Sequence, residues 1–201
     1  HIEVKSVGGH GAVPEHTVDA TLVACHITLA LQSIVSRNIT PFEPAVVTVG
    51  SIQAGHAPNI INDHVLMKLT VRTLNEQVRE TVLQRIHDIA VAQAESFNAT
   101  ATLTHVNGSP VLRNDPATNA MVREVATALF GVEQVGEVKP FMGSEDFAFM
   151  LEQHPHGSYF TIGAGDEPDR CMVHNPGYDF NDALLLTGAA LWCGLTERYL
   201  R

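Results

Sequence analysis

The chain has 201 residues, room for one ordinary domain or two small ones. Its 12 Lys and Arg against 22 Asp and Glu leave a formal charge of −10, which argues against a nucleic-acid binder and against docking on anionic lipid. Hydrophobic residues at 45% can build a real core, and 11 histidines, almost as many as Lys and Arg together, point towards metal or acid–base chemistry.

Residues 2–7 alternate apolar and polar and read as a strand, which Gly8-Gly9-His10-Gly11-Ala12-Val13-Pro14 breaks. A long apolar helix follows over 17–35, with Thr17 or Asp19 serving its N-terminus. Pro41 and Pro44 mark a loop, and residues 45–53 form a strand rich in β-branched side chains. After a turn over 55–62 comes a strand over 65–73. Val65, Met67, Leu69 and Val71 share one of its faces; Leu66, Lys68, Thr70 and Arg72 share the other. Val78, Val82, Ile86 and Ile89 recur at helical spacing within 76–95, and 99–106 is again strand-like. The order strand–helix–strand–strand–helix–strand is that of a ferredoxin-like βαββαβ domain, an antiparallel four-stranded sheet with two helices on one face.

Asn107-Gly108-Ser109-Pro110 reads as a domain boundary, dividing the chain into 1–110 and 111–201. Beyond it, Asn114-Asp115-Pro116 opens a helix that Gly131 stops after Phe130. A short strand near Glu137, the loop Phe141-Met142-Gly143, a short helix from Ser144, an apolar strand over 158–163, a loop rich in Gly, Asp and Pro, and a last helix over 181–200 complete it. This half resembles one flank of an α/β layer sandwich with most of its sheet absent, so its two long helices should expose apolar faces.

Cys25, Cys171 and Cys193 form no disulfide framework and no CxxC. They read as three reduced thiols of a cytoplasmic protein, with Cys25 and Cys193 buried on apolar helices. No apolar run reaches ~18 residues, so no membrane span is expected. The chain opens on His1-Ile2-Glu3-Val4-Lys5, already in a strand and without an initiator Met, as a fragment would.

His10 either finishes a turn or, with glycines on both sides permitting close backbone approach, offers an imidazole to a developing oxyanion. His174, in Val-His-Asn-Pro after the glycine-rich loop, either caps a loop or ligates a metal. Ser144, Glu145 and Asp146 form an ordinary acidic helix start or bring a carboxylate to a site. Arg72 is a solvated strand residue or a bidentate anchor for a substrate carboxylate, and Asn59 after Pro58 is a turn residue. His154 and His156 flank Pro155 without partners nearby. GxSxG, P-loop, GxGxxG and HExxH motifs are all absent.

HIEVKSVGGHGAVPEHTVDA, AVVTVGSIQAGHAPNIIN with the following LTVRTL, MGSEDFAFM and VHNPGYDFND occur in this order along the chain. Together they resemble the M20 metallopeptidase family, and within it the amidohydrolase branch of hippurate hydrolases and N-acyl-amino-acid amidohydrolases. The resemblance implies that residues 1–110 are the small lid or dimerisation domain, and 111–201 the C-terminal part of a zinc-peptidase-like α/β catalytic domain. It implies that His174 ligates one ion of a two-metal site (Zn or Mn, or else Co or Ni). His10 would reach the partner subunit's active site and stabilise the oxyanion. Asn59 and Arg72 would line the carboxylate end of an N-acyl amino acid, and Gly143, Ser144 and Glu145 would form a loop beside it.

The chain departs from the family pattern at Pro14-Glu15-His16, at Asp19-Ala20 and at Asn59-Ile60-Ile61-Asn62. It also lacks the Glu-Glu pair and the Cys two before a His that supply the family's other ligands and general base. The expectation is therefore a homodimeric metal-dependent amidohydrolase of which this chain is the C-terminal portion, inactive alone and holding at most one weakly bound ion. The rival reading is a non-catalytic dimerisation and substrate-contact module.

Overall fold

The computed structural model describes residues 1–106, 108–165 and 170–201. It divides into two compact units. One is His1–Val111 with Met142–Ser144, and the other is Leu112–Phe141 with Glu145–Arg201. Asn107 of the expected boundary and residues 166–169 of the expected loop lie outside the described residues.

The first unit contains β1 (Ile2–Lys5), the two-residue β2 (Gly9–His10), α1 (Ala20–Ser33), β3 (Ala45–Ala54), the two-residue β4 (Ile60–Ile61), β5 (His64–Thr73), α2 (Glu76–Ser96) and β6 (Thr100–Leu103). The main sheet has the order β3-β5-β1-β6, and every pairing in it is antiparallel. That is the expected ferredoxin-like sheet.

Local chemistry accounts for the helices. Asp19 caps α1, its carboxylate accepting from Thr21 N at 2.8 Å, so Asp19 rather than Thr17 starts this helix. Asn75 caps α2 by accepting from Gln77 N at 2.9 Å. The buried stripe of α1 is Ala20, Val23, Ala24, Ile27 and Leu31, and that of α2 is Val82, Ile86, Ala90 and Ala94. Both stripes pack with Ile2, Val4, Val65 and Met67 of the central strands in one cluster. Each fully buried Ile, Val or Met there contributes about 1.5–3 kcal/mol of hydrophobic stabilisation.

Two expectations need correction here. Ala20–Asn38 forms 19 continuous helical residues, long and apolar enough by length and composition to cross a membrane, although no unbroken apolar run predicted it. Its last turn, Ile34–Asn38, is π-helical, and its inward face is the centre of this core. Cys25, expected to be buried, is exposed because it lies off that inward stripe; Cys193 is exposed for the same reason on its own helix.

The second unit holds α3 (Pro116–Phe130), the short α4 (Phe147–Gln153) and α5 (Leu184–Tyr199). Asp115 caps α3, accepting from both the N–H and the hydroxyl of Thr118 at 2.8 Å, and Pro116 occupies the first turn where its missing N–H costs nothing. Gly131, at φ +92°, ends the helix. Helices α3 and α5 meet through Val125, Leu191 and Leu195, with Phe160 and Phe130 against them. A Cβ at Gly194 would lie 2.9 Å from Val125 Cγ1, so glycine sets how closely these helices approach.

The strands expected near Glu137 and over 158–163 are not formed among the described residues. The second of these instead lends its backbone to side chains, as at Tyr159 below, where the main chain bonds to Asn114. The short helix begins at Phe147 rather than Ser144, and the last at Leu184, with Asn181 accepting from Ala183 N just ahead of it. As expected, apolar side chains remain uncovered on α5, with Leu186 83% and Trp192 62% exposed.

Candidate active site

His10 sits on the second, smaller sheet. Strand β2 pairs antiparallel with β4, Gly9 opposite Ile61 and His10 opposite Ile60. The pairing continues one step further, where Gly11 N donates to the Asn59 carbonyl at 2.8 Å. The structure therefore brings His10 and Asn59 together at one end of a short ribbon. The glycines around His10 are needed for this. A Cβ at Gly8 would meet the Ile61 carbonyl at 2.7 Å, one at Gly9 would meet Thr17 Cγ2 at 2.7 Å, and one at Gly11 would stand 3.1 Å from the Asn59 carbonyl. The His10 ring is exposed, and its Nδ1 accepts from Ala12 N at 3.1 Å.

Arg72 lies on β5 opposite Val46 of β3, on the sheet face away from the helices. It is half-buried, and among the described residues its guanidinium has no hydrogen-bond or ion-pair partner. Such a cation in a partly desolvated position is suited to a carboxylate, which its planar fork binds with two parallel hydrogen bonds.

Gly143 and Ser144 are exposed, and the Ser144 hydroxyl bonds that of Ser109 at 3.0 Å. Glu145 belongs to the second unit and is half-buried. Its carboxylate accepts from Phe147 N at 3.2 Å. The hydroxyl of Tyr159, with smaller help from the Phe147 amide, holds this carboxyl below the usual glutamate range, and the same contact pushes the Tyr159 phenol up. Tyr159 is itself gripped. Asn114 accepts from its N–H and donates to its carbonyl, both at 2.8 Å, and its ring lies 5.9 Å from that of Phe147.

His174 is exposed in a pair of tight turns in which Asn175 N bonds the Met172 carbonyl, Tyr178 N bonds the Asn175 carbonyl, and the Asn175 side chain accepts from Gly177 N. Its φ of +70° is a left-handed backbone that costs a non-glycine residue on the order of 1 kcal/mol, and such outliers gather at functional sites.

A comparison with known sequences decides the family. The profile of Peptidase family M20/M25/M40 matches residues 3–198. The chain belongs to this family. It is 36% identical over 201 residues to the hippurate hydrolase of Campylobacter jejuni, covering 100% of this chain and 51% of that protein. It is 34% identical over 185 residues to the N-acetyl-L-cysteine deacetylase of Bacillus subtilis, covering 92% and 43%. A solved structure described as an aminohydrolase of methicillin-resistant Staphylococcus aureus superposes with a TM-score of 0.84 at 28% identity, over 100% of this chain and 51% of that one. The chain thus spans about half the length of the curated relatives it matches.

M20 proteins are generally metal-dependent. A catalytic zinc site takes at least three protein ligands, and among the described residues no three His, Cys, Asp or Glu side chains cluster to hold an ion. The described residues do not by themselves fit a two-metal centre.

Residue-type reasoning passed over two parts of this M20 chain. Asn114 reads as a helix-start residue, yet its amide clamps the backbone of residue 159, a contact between positions 45 apart. Tyr159 sits in an apolar stretch that suggests a strand, and nothing in the local pattern signals its hydroxyl reaching Glu145.

Proposed function

We propose that this chain is the C-terminal part of a metal-dependent amidohydrolase that cleaves the amide bond of N-acyl amino acids. The names of two relatives, a hippurate hydrolase and an N-acetyl-L-cysteine deacetylase, support that substrate class. The observation that carries the reading is the His10–Asn59 ribbon. A histidine whose Nδ1 is already engaged by Ala12 keeps Nε2 for a ligand, at the open end of a rung completed by Asn59.

In this reading the first unit is the lid. His10 Nε2–H donates to the oxygen that gains charge as the amide carbonyl is attacked. A preorganised donor of this kind typically contributes about 10²–10³-fold in kcat. Arg72 binds the free carboxylate of the amino-acid half, and Asn59 lines the same end. Gly143 and Glu145 border the substrate, and His174 would supply one ligand to a two-ion centre (Zn or Mn, or else Co or Ni), for which no cluster of three or more ligand side chains is found among the described residues.

A homodimer through the lid is part of the proposal. Strand β3 is an edge strand ten residues long, with its outer row of N–H and C=O groups unpaired in the sheet. Beside it α1 exposes Leu22, Cys25 and Leu29, the last 71% exposed. An open edge next to an apolar helix face supports pairing with a second copy.

The test joins this chain to the half that its relatives carry, adds Zn, Mn or Co, and follows hydrolysis of N-benzoyl and N-acetyl amino acids. Release of the free amino acid, reduced 10²-fold or more in kcat by His10→Ala, is the expected result. A folded protein that cleaves none of these amides with any of the metals would overturn the proposal.

A further inference from the structure

The Gly-Gly-His-Gly-Ala turn does more than place His10. Four backbone contacts converge on it: the two β2–β4 rungs, Gly11 N to the Asn59 carbonyl at 2.8 Å, and Val13 N to the His10 carbonyl at 2.9 Å. The last of these closes a tight turn over residues 10–13. Closing that turn aims the Ala12 N–H back at the His10 ring, where it meets Nδ1 at 3.1 Å. A backbone N–H can only donate, so the ring nitrogen it meets must accept. In a neutral imidazole one nitrogen accepts and the other carries the proton.

We infer that the Ala12 backbone amide is the positioning group of His10, holding the neutral imidazole in the Nε2–H tautomer with its ring orientation set before any ligand or second subunit arrives. The inference deepens the proposed role of His10 and rests on that reading for its catalytic meaning, though not for its geometry. The preset tautomer makes His10 a hydrogen-bond donor through Nε2, so that nitrogen has no lone pair to offer a substrate proton. It therefore assigns His10 to oxyanion stabilisation and excludes general-base catalysis by this residue. The hydrogen bond made by one ring nitrogen of a histidine commonly sets in this way which nitrogen carries the proton.

The surroundings fit such a device. The turn is anchored by close approaches that glycine allows, to the β4 backbone at position 8 and to the Thr17 side chain at position 9, so the Ala12 amide is delivered by a braced loop. Residue 12 itself is exposed, and its methyl group is not what the inference uses. Any residue that keeps its N–H at position 12 should therefore serve, whereas removing the N–H should not be tolerated.

The experiment replaces the Ala12 amide by an ester, using the α-hydroxy analogue of alanine, which deletes the N–H and leaves the side chain in place. Ala12→Gly, which keeps the N–H, is the companion variant. Long-range ¹H–¹⁵N spectra of the 201-residue chain at alkaline pH read the His10 tautomer directly. The wild type and Ala12→Gly should show only the Nε2–H form, and the ester should show a mixture with a measurable Nδ1–H form. A mixture in the wild type, or an ester variant indistinguishable from it, would overturn the inference.

The same three proteins, joined to the half their relatives carry, are then assayed on an N-benzoyl amino acid. The ester should lower kcat about ten-fold, the scale of one hydrogen bond, with KM unchanged and Ala12→Gly at the wild-type rate. An unchanged kcat in the ester, in a hydrolytically active protein, would overturn the positioning role. If the wild type cleaves no amide, the proposed function has failed, and the spectra alone then uphold or overturn the preset tautomer.

Discussion

Asn59 is held by Gly11: the Gly11 amide donates to the Asn59 carbonyl at 2.8 Å, one step beyond the His10–Ile60 pair of the β2–β4 ribbon. This contact brings residues from two separate loops to one place, and its neighbours set how much substitution it tolerates. A Cβ at Gly8 would stand 2.7 Å from the Ile61 carbonyl, a separation that backbone must relieve by moving, whereas at Gly11 the nearest atom is 3.1 Å away. Gly8→Ala should therefore open the ribbon and Gly11→Ala should strain it less. Amide hydrogen exchange at residue 11 measures this, with markedly faster exchange expected in Gly8→Ala; protection equal to that of the wild type would mean the ribbon does not depend on Gly8.

Arg72 should govern substrate binding rather than turnover. Removing a guanidinium that grips a carboxylate through charge-assisted hydrogen bonds costs about ten- to a hundred-fold in affinity. Arg72→Ala is expected to raise KM for an N-acyl amino acid by that factor and to leave kcat largely unchanged. The corresponding N-acyl amine, which lacks the carboxylate, should be handled alike by variant and wild type. An equal loss on both substrates would show that Arg72 supports the fold and not the carboxylate.

The Glu145–Tyr159 contact gives a pH dependence with a definite sign. The Tyr159 hydroxyl, and after it the Phe147 amide, hold the Glu145 carboxyl below the usual glutamate range. A carboxyl depressed in the folded state adds stability above its unfolded value and loses that contribution as pH falls through the folded value. The second unit should thus become less stable on acidification below the ordinary glutamate range. Tyr159→Phe keeps the ring against Phe147 and removes only the hydroxyl, so the Glu145 carboxyl should titrate at higher pH in ¹³C spectra and the acid dependence should shrink. A titration curve that does not move would remove Tyr159 as the cause.

Asp115 tests the start of α3. Its carboxylate accepts from Thr118 N and from the Thr118 hydroxyl, and these two bonds hold it below the usual aspartate range. Asp115→Ala should lower stability at neutral pH, as loss of an N-cap does. The difference from wild type should fade in acid, where the wild-type carboxyl is protonated as well. Denaturant unfolding at the two pH values decides it, and a penalty independent of pH would point to lost packing instead.

These results show which features could be read in the sequence. The first unit was legible because its side chains alternate cleanly. Val65 and Met67 fall on one face of β5 and Arg72 on the other, and the helical spacing of Val82 and Ile86 survives intact in α2. The second unit was harder because its local pattern competes with long-range contacts. The apolar run at 158–163 has the composition of a strand, but the backbone of Tyr159 bonds to Asn114 instead of to a neighbouring strand. Cys25 shows a smaller failure of the same kind. Its place on an apolar helix predicts burial, whereas only the stripe through Val23, Ile27 and Leu31 is buried.

The candidate residues divide similarly. His10 and His174 are candidates from their glycine-rich and proline-flanked settings and from the family resemblance; in the structure the His10 Nδ1 accepts from Ala12 N and His174 has a left-handed backbone. The Ala12 amide could not be found this way, because a backbone donor has no residue-type signature.

The account is tested most directly by the hydrolysis of an N-benzoyl amino acid by this chain joined to the half its relatives carry, with and without His10→Ala. It predicts metal-dependent release of the free amino acid and a fall in kcat of about 10²-fold or more in the variant. A folded, metal-supplied protein that releases no amino acid, or one whose kcat is indifferent to His10, would contradict it.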